Sequence, residues 1–360
     1  MSIRFTHQTW PQRVVLGAGV ATAAVEREIG LLGASRVLVI ASRSAAATAD
    51  SVTAGLPVVW RHPEVAMHVP AELAERARAA AADCAADALV SVGGGSATGL
   101  AKAIALTTGL PIVAVPTTYA GSEATSVWGI TENGVKRTGT DPAVLPRAIV
   151  YDAALSTSLP VDLSVASGLN ALAHCVDSLW APAADPVNRA FALEGIAELR
   201  AALPAIVADP AGLDGRERAL AGSYLAAAAF ASAGSGLHHK ICHVLGGAFN
   251  LPHAQTHAIV LPQVLAFNAA AAPEALRRVA AALGADDAVD GLERLRRTLR
   301  APRALRDYGF TEPDIPDAAR MIAAAVPAGN PRPVTEASLS ALLRAAWAGQ
   351  DPAALTLEGA

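Results

Sequence analysis

The second half of the chain carries a concentration of histidines, whose imidazoles can bind anions, move protons near neutral pH or ligate a metal ion. Two short segments hold them, GLNALAHCVD and GLHHKICHVLGGAFNLPHAQTH. A single histidine on a helix is more often a packed or surface group than a functional one, but clustering on this scale favours a site. The six residues are His174, His238, His239, His243, His253 and His257.

Helical spacing places several of these side chains on common faces. Asn170 and His174 are four residues apart in the first segment, and His239 and His243 are one helical turn apart in the second. Lys240 lies between the latter two and has two interpretations. It is either a cation that binds an anionic substrate or a solvated side chain on the helix surface.

A glycine-rich turn follows the predicted strand ALVSV. Gly93, Gly94, Gly95 and Ser96 lead into a helical stretch, residues 100–106. Bare glycine backbone lets a pyrophosphate approach closely, and the N–H groups that open a helix can hold the anion. The glycines therefore predict a cofactor phosphate site, unless they serve only to supply positive φ angles.

A second turn, rich in hydroxyl groups, follows the predicted strand PIVAV. It contains Thr117, Thr118 and Ser122. The carboxyl ends of neighbouring parallel strands meet at one edge of the sheet, where open α/β sheets bind ligands. This turn alone could be an ordinary polar loop, but together with the glycine turn it indicates a dinucleotide site.

Ser42 and Arg43 follow the predicted strand VLVI, where a protein selective for NAD often places a carboxylate for the ribose hydroxyls. Serine or arginine at this place tolerates a 2′-phosphate, so we expect both NADH and NADPH to serve, unless Arg43 only faces water. The earlier GAG at residues 17–19 lacks the third glycine of a dinucleotide fingerprint, because Thr22 stands there. It is predicted as a turn after a short strand.

Two sequence patterns predict the elements that position these residues. Up to about residue 155, short β-branched runs alternate with alanine-rich helical stretches, which is typical of a parallel sheet covered by helices. After Pro160 the strand signal fades and leucines recur at helical spacing. We predict a dinucleotide-binding α/β domain over residues 1–155 and an all-helical substrate domain over residues 156–360.

Composition excludes several classes of function. The chain has 360 residues, 52% of them hydrophobic, and a net charge of −4, which argues against a nucleic-acid partner. No run approaches the roughly 20 apolar residues of a membrane helix, and the N-terminus shows no signal core. Three cysteines do not suggest a disulfide framework. We expect a cytoplasmic protein that binds neither membrane nor nucleic acid.

The motifs GGGSATGLAKAIA, PTTYAGSE and GLHHKICHVLGG, in this order, resemble the iron-containing (group III) alcohol dehydrogenase superfamily, and within it the maleylacetate reductase branch. The resemblance covers nearly the whole chain. It implies the fold of that superfamily, which is similar to dehydroquinate synthase: an N-terminal α/β domain with a parallel sheet, an all-α C-terminal domain and a site in the cleft. It also implies a homodimer.

The resemblance further implies where a metal would bind. The family's ligands are an aspartate, a histidine four residues later and two further histidines, and the histidines correspond to His174, His239 and His253. Asn170 stands at the position of the aspartate, and Gly99 replaces another aspartate usual in metal-dependent relatives. A neutral amide removes a full charge from an iron(II) site, so we expect no metal, although three imidazoles can bind zinc.

The function implied is reduction of the carbon–carbon double bond of maleylacetate, a small dicarboxylate, to 3-oxoadipate by NADH or NADPH. We assign catalysis to His243, His253 and Lys240, one of the histidines stabilising the enolate. Substrate binding is assigned to Asn170, His174 and His239. One alternative is a metal-dependent alcohol or polyol dehydrogenase of the same superfamily, and another is a catalytically silent nucleotide sensor.

Overall fold

The chain divides into an α/β unit and a helical unit. The computed structural model describes residues 4–132 and 135–355. Within them, the α/β unit comprises residues 9–160 and 209–221, and the helical unit comprises residues 4–8, 161–208 and 222–355.

The α/β unit is built on a parallel sheet, as predicted. Its six strands are ordered β1-β8-β5-β4-β2-β3, every neighbouring pair is parallel, and β6 with β7 forms a separate antiparallel hairpin. Three strands that the sequence predicted, β2, β4 and β5, are central in this order, and the short strand predicted before residues 17–19 is β1 at one edge. The strands are β1 (Arg13–Gly17), β2 (Val37–Ile40), β3 (Val58–His62), β4 (Ala88–Gly93), β5 (Ile112–Pro116), β6 (Val127–Glu132), β7 (Val135–Thr140) and β8 (Ala148–Asp152).

Helices cover both faces of this sheet, because alternate residues of a strand point to opposite faces. Val37 and Val39 of β2 belong to a core cluster on one face, and Leu38 and Ile40 belong to a second cluster on the other. The strands are therefore apolar throughout, which is why short uninterrupted runs predicted them. The helices are α1 (Ala21–Leu32), α2 (Ala46–Val52), α3 (Ala71–Asp83), α4 (Gly95–Thr108) and α5 (Ala153–Ser156).

The remaining helices follow Pro160, where the sequence predicted the change in character. In the helical unit, α6 is the central element: residues 164–178 are all buried, and its leucines share one core cluster with those of α7 and α10. The fold class expected from the sequence is confirmed. The helices are α6 (Val161–Ser178), α7 (Pro186–Ala208), α8 (Leu213–Ala233), α9 (Leu237–Ala248), α10 (His253–Ala269), α11 (Pro273–Ala282), α12 (Ala288–Thr298), α13 (Ile315–Ala325) and α14 (Glu336–Ala348).

Within residues 4–132 and 135–355, no single helix is long and apolar enough to cross a bilayer. Only α8 and α9 counted together reach that length and hydropathy, and they meet at an angle of 99°. The three cysteines, at positions 84, 175 and 242, are free thiols.

Candidate active site

Asp177, at the end of α6, binds the N-terminus of α9. Its Oδ2 accepts hydrogen bonds from the backbone N–H of Gly236 at 2.8 Å and from Nδ1 of His239 at 2.7 Å. The carboxylate thus supplies the cap that α9 lacks in its own sequence and complements the helix dipole. A Cβ on residue 236 would overlap this carboxylate, so glycine is required there.

This contact fixes the orientation of the His239 ring. Burial raises the pKa of Asp177 to about 6, even though backbone N–H donors lower it, so the group is ionised at neutral pH. A carboxylate on Nδ1 leaves Nε2 of His239 to meet a substrate or metal. That Nε2 is buried and has no hydrogen-bond partner among the described residues.

Three further buried imidazoles lie around His239, together with the Phe230 ring at 4.3 Å. His174 of α6 stacks on it with ring centroids 4.8 Å apart and an interplanar angle of 19°, and His257 of α10 lies 5.0 Å away. His238 lies 5.2 Å from His239, and its Nε2 is 2.9 Å from Nδ1 of His257. We call these four buried rings, His174, His238, His239 and His257, the floor of the site.

The floor is uncharged at neutral pH. Burial lowers the pKa of His174 to about 4 and that of His238 to about 3. For His239 and His257, burial and the neighbouring imidazoles lower the pKa well below the usual value of 6.5. A buried imidazolium loses its hydration, and at His239 this cost outweighs the adjacent Asp177 carboxylate, so each ring is neutral before substrate binds.

Lys240, His243 and His253 are only half-buried, and we call them the rim. The ring of His243 lies 6.2 Å from that of His239, and the ring of His253 lies 4.4 Å from that of His257. Of the predicted catalytic and substrate residues, the four histidines thus form one cluster. Lys240 follows His239 on α9.

Asn170, the remaining predicted substrate residue, lies on α6 one turn before His174. It is 2% exposed, and its Oδ1 has no hydrogen-bond partner in the part of the chain that the structure describes. The sequence analysis missed three contributions: the bond from Asp177 to His239, and the places of His238 and His257 in the floor. The signals available were the i+3 spacing of Asp177 from His174 and the density of histidines in the second segment.

The donor set does not fit the iron(II) ion that the family resemblance implies. The corresponding side chains are three imidazoles and the Asn170 amide, all without negative charge. The carboxylate on the same helix, Asp177, is bound instead to His239 and to the start of α9. A hard divalent ion would therefore lack the anionic oxygen it prefers. At Gly99, where metal-dependent relatives usually carry an aspartate, the space is tight, since a Cβ would lie 3.0 Å from Cγ2 of Val69.

In the α/β unit, the two predicted cofactor turns lie side by side. The backbone N–H of Thr117 donates to the carbonyl of Gly93 at 3.0 Å. Gly93 has a φ of 144°, and a Cβ on Gly94 would lie 3.0 Å from Cγ2 of Thr118. Glycine therefore allows the two turns to approach each other as well as leaving the backbone bare.

The start of α4 fits an anionic group of a dinucleotide. Gly94 is its N-cap and no side chain caps the helix, so the first N–H groups, at Gly95 and Ser96, have no acceptor within the helix. Lys102 holds the neighbouring turn in place, because its buried ammonium donates to the carbonyls of Ser122 at 2.6 Å and Thr125 at 2.7 Å. This positioning role was not predicted from the sequence.

Ser42 and Arg43 line a cavity of about 660 Å³ beyond the carboxyl ends of β2 and β3. Ser42 is half-buried and Arg43 is exposed. Glu64, on the opposite loop, is paired with Arg76 at 2.7 Å. The cavity therefore offers the Arg43 guanidinium to a 2′-phosphate. Of its two carboxylates, Glu64 is neutralised by Arg76 and Glu72 is exposed.

Known proteins resemble the chain over nearly its whole length. Residues 11–153 match the family model of the iron-containing alcohol dehydrogenases, and residues 164–347 match that of the C-terminal part of the Fe-containing alcohol dehydrogenase family. A maleylacetate reductase from Burkholderia cepacia is 46% identical over 94% of this chain and 97% of its own.

Solved structures agree with this relationship. An iron-containing alcohol dehydrogenase from Corynebacterium glutamicum superposes with a TM-score of 0.97 at 58% identity, over 99% of this chain and 100% of its own. The maleylacetate reductase from Rhizobium sp. strain MTP-10005 superposes with a TM-score of 0.91 at 41% identity, over 97% of this chain and 99% of its own.

Proposed function

The chain belongs to the iron-containing alcohol dehydrogenase family, and we propose that it is the oxidoreductase that reduces maleylacetate to 3-oxoadipate with NADH or NADPH. The observation that carries this proposal is the uncharged histidine floor with Asn170 in place of a metal-binding carboxylate. Near-full-length identity with enzymes named maleylacetate reductase supports the same activity.

The nicotinamide cofactor, when bound, supplies a hydride. We assign its phosphates to the turns that contain Gly93–Ser96 and Thr117, Thr118 and Ser122, and its adenosine ribose to the cavity beside Ser42 and Arg43. Arg43 can pair with a 2′-phosphate, while ribose hydroxyls can bond to Ser42, so both forms of the cofactor are accommodated.

The rim stabilises the charge that develops on the substrate. Hydride addition to the alkene carbon β to the ketone places negative charge on the ketone oxygen as an enolate. His243 or His253 donates a hydrogen bond to that oxygen, and the Lys240 ammonium contributes positive charge. A proton then reaches the adjacent carbon, with histidine as the donor, and gives 3-oxoadipate.

The floor orients the substrate. Asn170 and His174 offer polar groups to a carboxylate. His239 can do so through Nε2 once that nitrogen carries a proton, and the Asp177 carboxylate on Nδ1 stabilises the imidazolium so formed. A dianionic substrate thus favours proton uptake by His239, which keeps the added charge of the complex small.

Three further properties belong to this proposal. The reaction proceeds without a metal ion, because the rim supplies the positive hydrogen-bond donors that a Lewis acid would otherwise supply. The protein acts in the cytoplasm and as a homodimer. The donor set argues against the metal-dependent alcohol dehydrogenase alternative, since its anionic ligand is missing.

The proposal is tested by mixing purified protein with maleylacetate and following the oxidation of NADH and NADPH in separate assays. We expect turnover with both cofactors, and one 3-oxoadipate, identified by mass spectrometry, for each cofactor oxidised. A panel of simple alcohols and polyols with NAD⁺ serves as the comparison. Oxidation of those alcohols with no reduction of maleylacetate would overturn the assignment.

A further inference from the structure

A cavity at the end of α12, in the helical unit, is lined mainly by arginines. Its volume is about 260 Å³, and it brings four guanidinium groups together with a single carboxylate. This is a strong local positive charge in a chain whose net charge is −4. The lining residues are Glu293, Arg296, Arg297, Arg300, Ala301 and Arg303.

The single carboxylate is already engaged. Glu293 pairs with Arg296 of the same helix, and both side chains are more than nine-tenths buried. Arg296 also donates to the carbonyl of Pro302 at 2.8 Å, but its Nε has no hydrogen-bond partner among the residues that the structure describes. The buried pair therefore still has an unsatisfied donor.

The other three arginines are exposed. Across residues 4–132 and 135–355, Arg297, Arg300 and Arg303 form no ion pair with an acidic side chain. Cations in the last turn of a helix complement its dipole, which accounts for Arg297. Arg300 and Arg303 lie beyond the end of the helix at Thr298, so the dipole does not account for their convergence on the same cavity.

We propose that this cavity binds a small anion that carries phosphate groups. Each guanidinium can form two parallel hydrogen bonds to phosphate oxygens, and several phosphate oxygens can satisfy several arginines at once. An anion here would also relieve the mutual repulsion of the four cations. This site lies outside the residues assigned above to maleylacetate and to the nicotinamide cofactor.

The test is isothermal titration calorimetry with inorganic pyrophosphate at constant ionic strength, using the full chain. We expect saturable binding of one pyrophosphate per chain. The double variant Arg297→Gln/Arg300→Gln should bind at least about tenfold more weakly, since each charged hydrogen bond contributes substantially. Arg294→Gln is the matched control, because Arg294 is exposed on the same helix but does not line the cavity.

Three outcomes would overturn the proposal: no saturable binding, equal weakening in Arg294→Gln, or binding of citrate without binding of pyrophosphate. Equal weakening in Arg294→Gln would show that pyrophosphate responds only to general surface charge. Binding of citrate alone would show that the cavity does not recognise phosphate. Reduction of maleylacetate should be unchanged in both variants in the absence of pyrophosphate, which shows that they are folded.

Discussion

The floor and the rim of the histidine cluster place the same residue type, histidine, in different surroundings, and the rim adds Lys240. The floor rings are buried and neutral, and one of them is fixed by a carboxylate. The rim residues are half-buried and lie one helical turn or less from floor residues. Histidine content alone therefore does not define a cationic pocket, because burial keeps the floor rings neutral in the absence of substrate.

This difference gives the two parts of the site separate roles in the proposed reaction: the floor orients the substrate, and the rim stabilises the negative charge that develops on it. Because the floor rings carry no negative charge, they can hold an anionic substrate without repelling it. The rim can then meet the charge that develops during reduction. A change in the rim should affect the chemical step most, and a change in the floor should affect substrate binding and stability.

The largest effect is expected in the rim. His243→Gln and His253→Gln remove the candidate donors to the enolate, and loss of a general acid typically costs about 10²–10⁴-fold in rate. We expect kcat to fall by that order in at least one variant while the Kd of NADH, measured by fluorescence, is unchanged. His7→Gln is the control, since His7 in the same unit bonds to Asp185 instead. Full kcat in both rim variants would remove the distinction between floor and rim.

A smaller loss of activity is expected on replacing Asp177, the residue that orients His239 in the floor. Asp177→Asn keeps the shape but removes the charge that orients His239, and loss of such a partner costs about 10–100-fold in activity. We expect the KM for maleylacetate to rise and the pH profile of kcat/KM to shift, because the stabilisation of protonated His239 is lost.

The matched control for this change is Asp185→Asn. Asp185 also binds a histidine, at 2.7 Å from His7, and accepts from the backbone N–H of Val187 at the start of a helix. Asp185→Asn should lower the free energy of unfolding without shifting the pH profile of kcat/KM. If both variants shift the profile equally, Asp177 has a structural role only.

The floor should also make stability depend on pH. The pKa of His174 is about 4 when folded against 6.5 when unfolded, and the other floor rings are shifted in the same direction. Below pH 6.5 the unfolded chain therefore binds more protons, and the free energy of unfolding falls with acid by about 1.4 kcal/mol per pH unit for each ring. Asp177 has the opposite effect between pH 3.8 and about 6, because its pKa is higher in the folded chain than in the unfolded chain. This single carboxylate offsets only part of the loss of stability that the four floor rings cause.

Urea denaturation at several pH values between 7 and 5 checks this expectation. His238→Gln should reduce the slope by about one proton. The thiol of Cys242 lies 3.6 Å from Nε2 of His238. Cys242→Ala should therefore lower the free energy of unfolding and leave its dependence on pH unchanged. A slope that is flat in the wild type would contradict the burial argument.

The smallest effect is expected outside the cluster. Arg43→Ala removes an exposed cation from the cavity assigned to the adenosine ribose, and exposed charge pairs contribute about 1 kcal/mol at most. The kcat/KM for NADPH should fall by about fivefold and that for NADH should not change. Arg147→Ala, another exposed arginine of the α/β unit, is the control. Equal losses with both cofactors would show that Arg43 does not select between them.

The sequence predicted the parts that depend on local patterning. The sequence predicted β2, β4 and β5 because strands buried on both faces are short apolar runs. It predicted the start of α4 because glycines directly follow β4. The short strand predicted before the turn at residues 17–19 is β1, whereas the edge strand β3 was missed, since exposed residues such as Trp60 interrupt its apolar pattern.

The parts that depend on long-range contacts were beyond the sequence. Asp177 and His239 are separated by 62 residues, and nothing local indicates that one orients the other. Lys102 likewise holds a turn 20 residues away. The neutrality of the floor follows from burial, which spacing alone does not give.

The most direct measurement is the turnover of maleylacetate with NADH after exhaustive removal of metals, with metal content determined by mass spectrometry. The wild-type protein should keep its kcat within about twofold. Asn170→Asp, which restores the anionic ligand, should bind iron(II) or zinc more tightly. Loss of wild-type turnover on metal removal, and its recovery with iron(II) or zinc, would contradict a reaction carried by imidazoles and an ammonium alone.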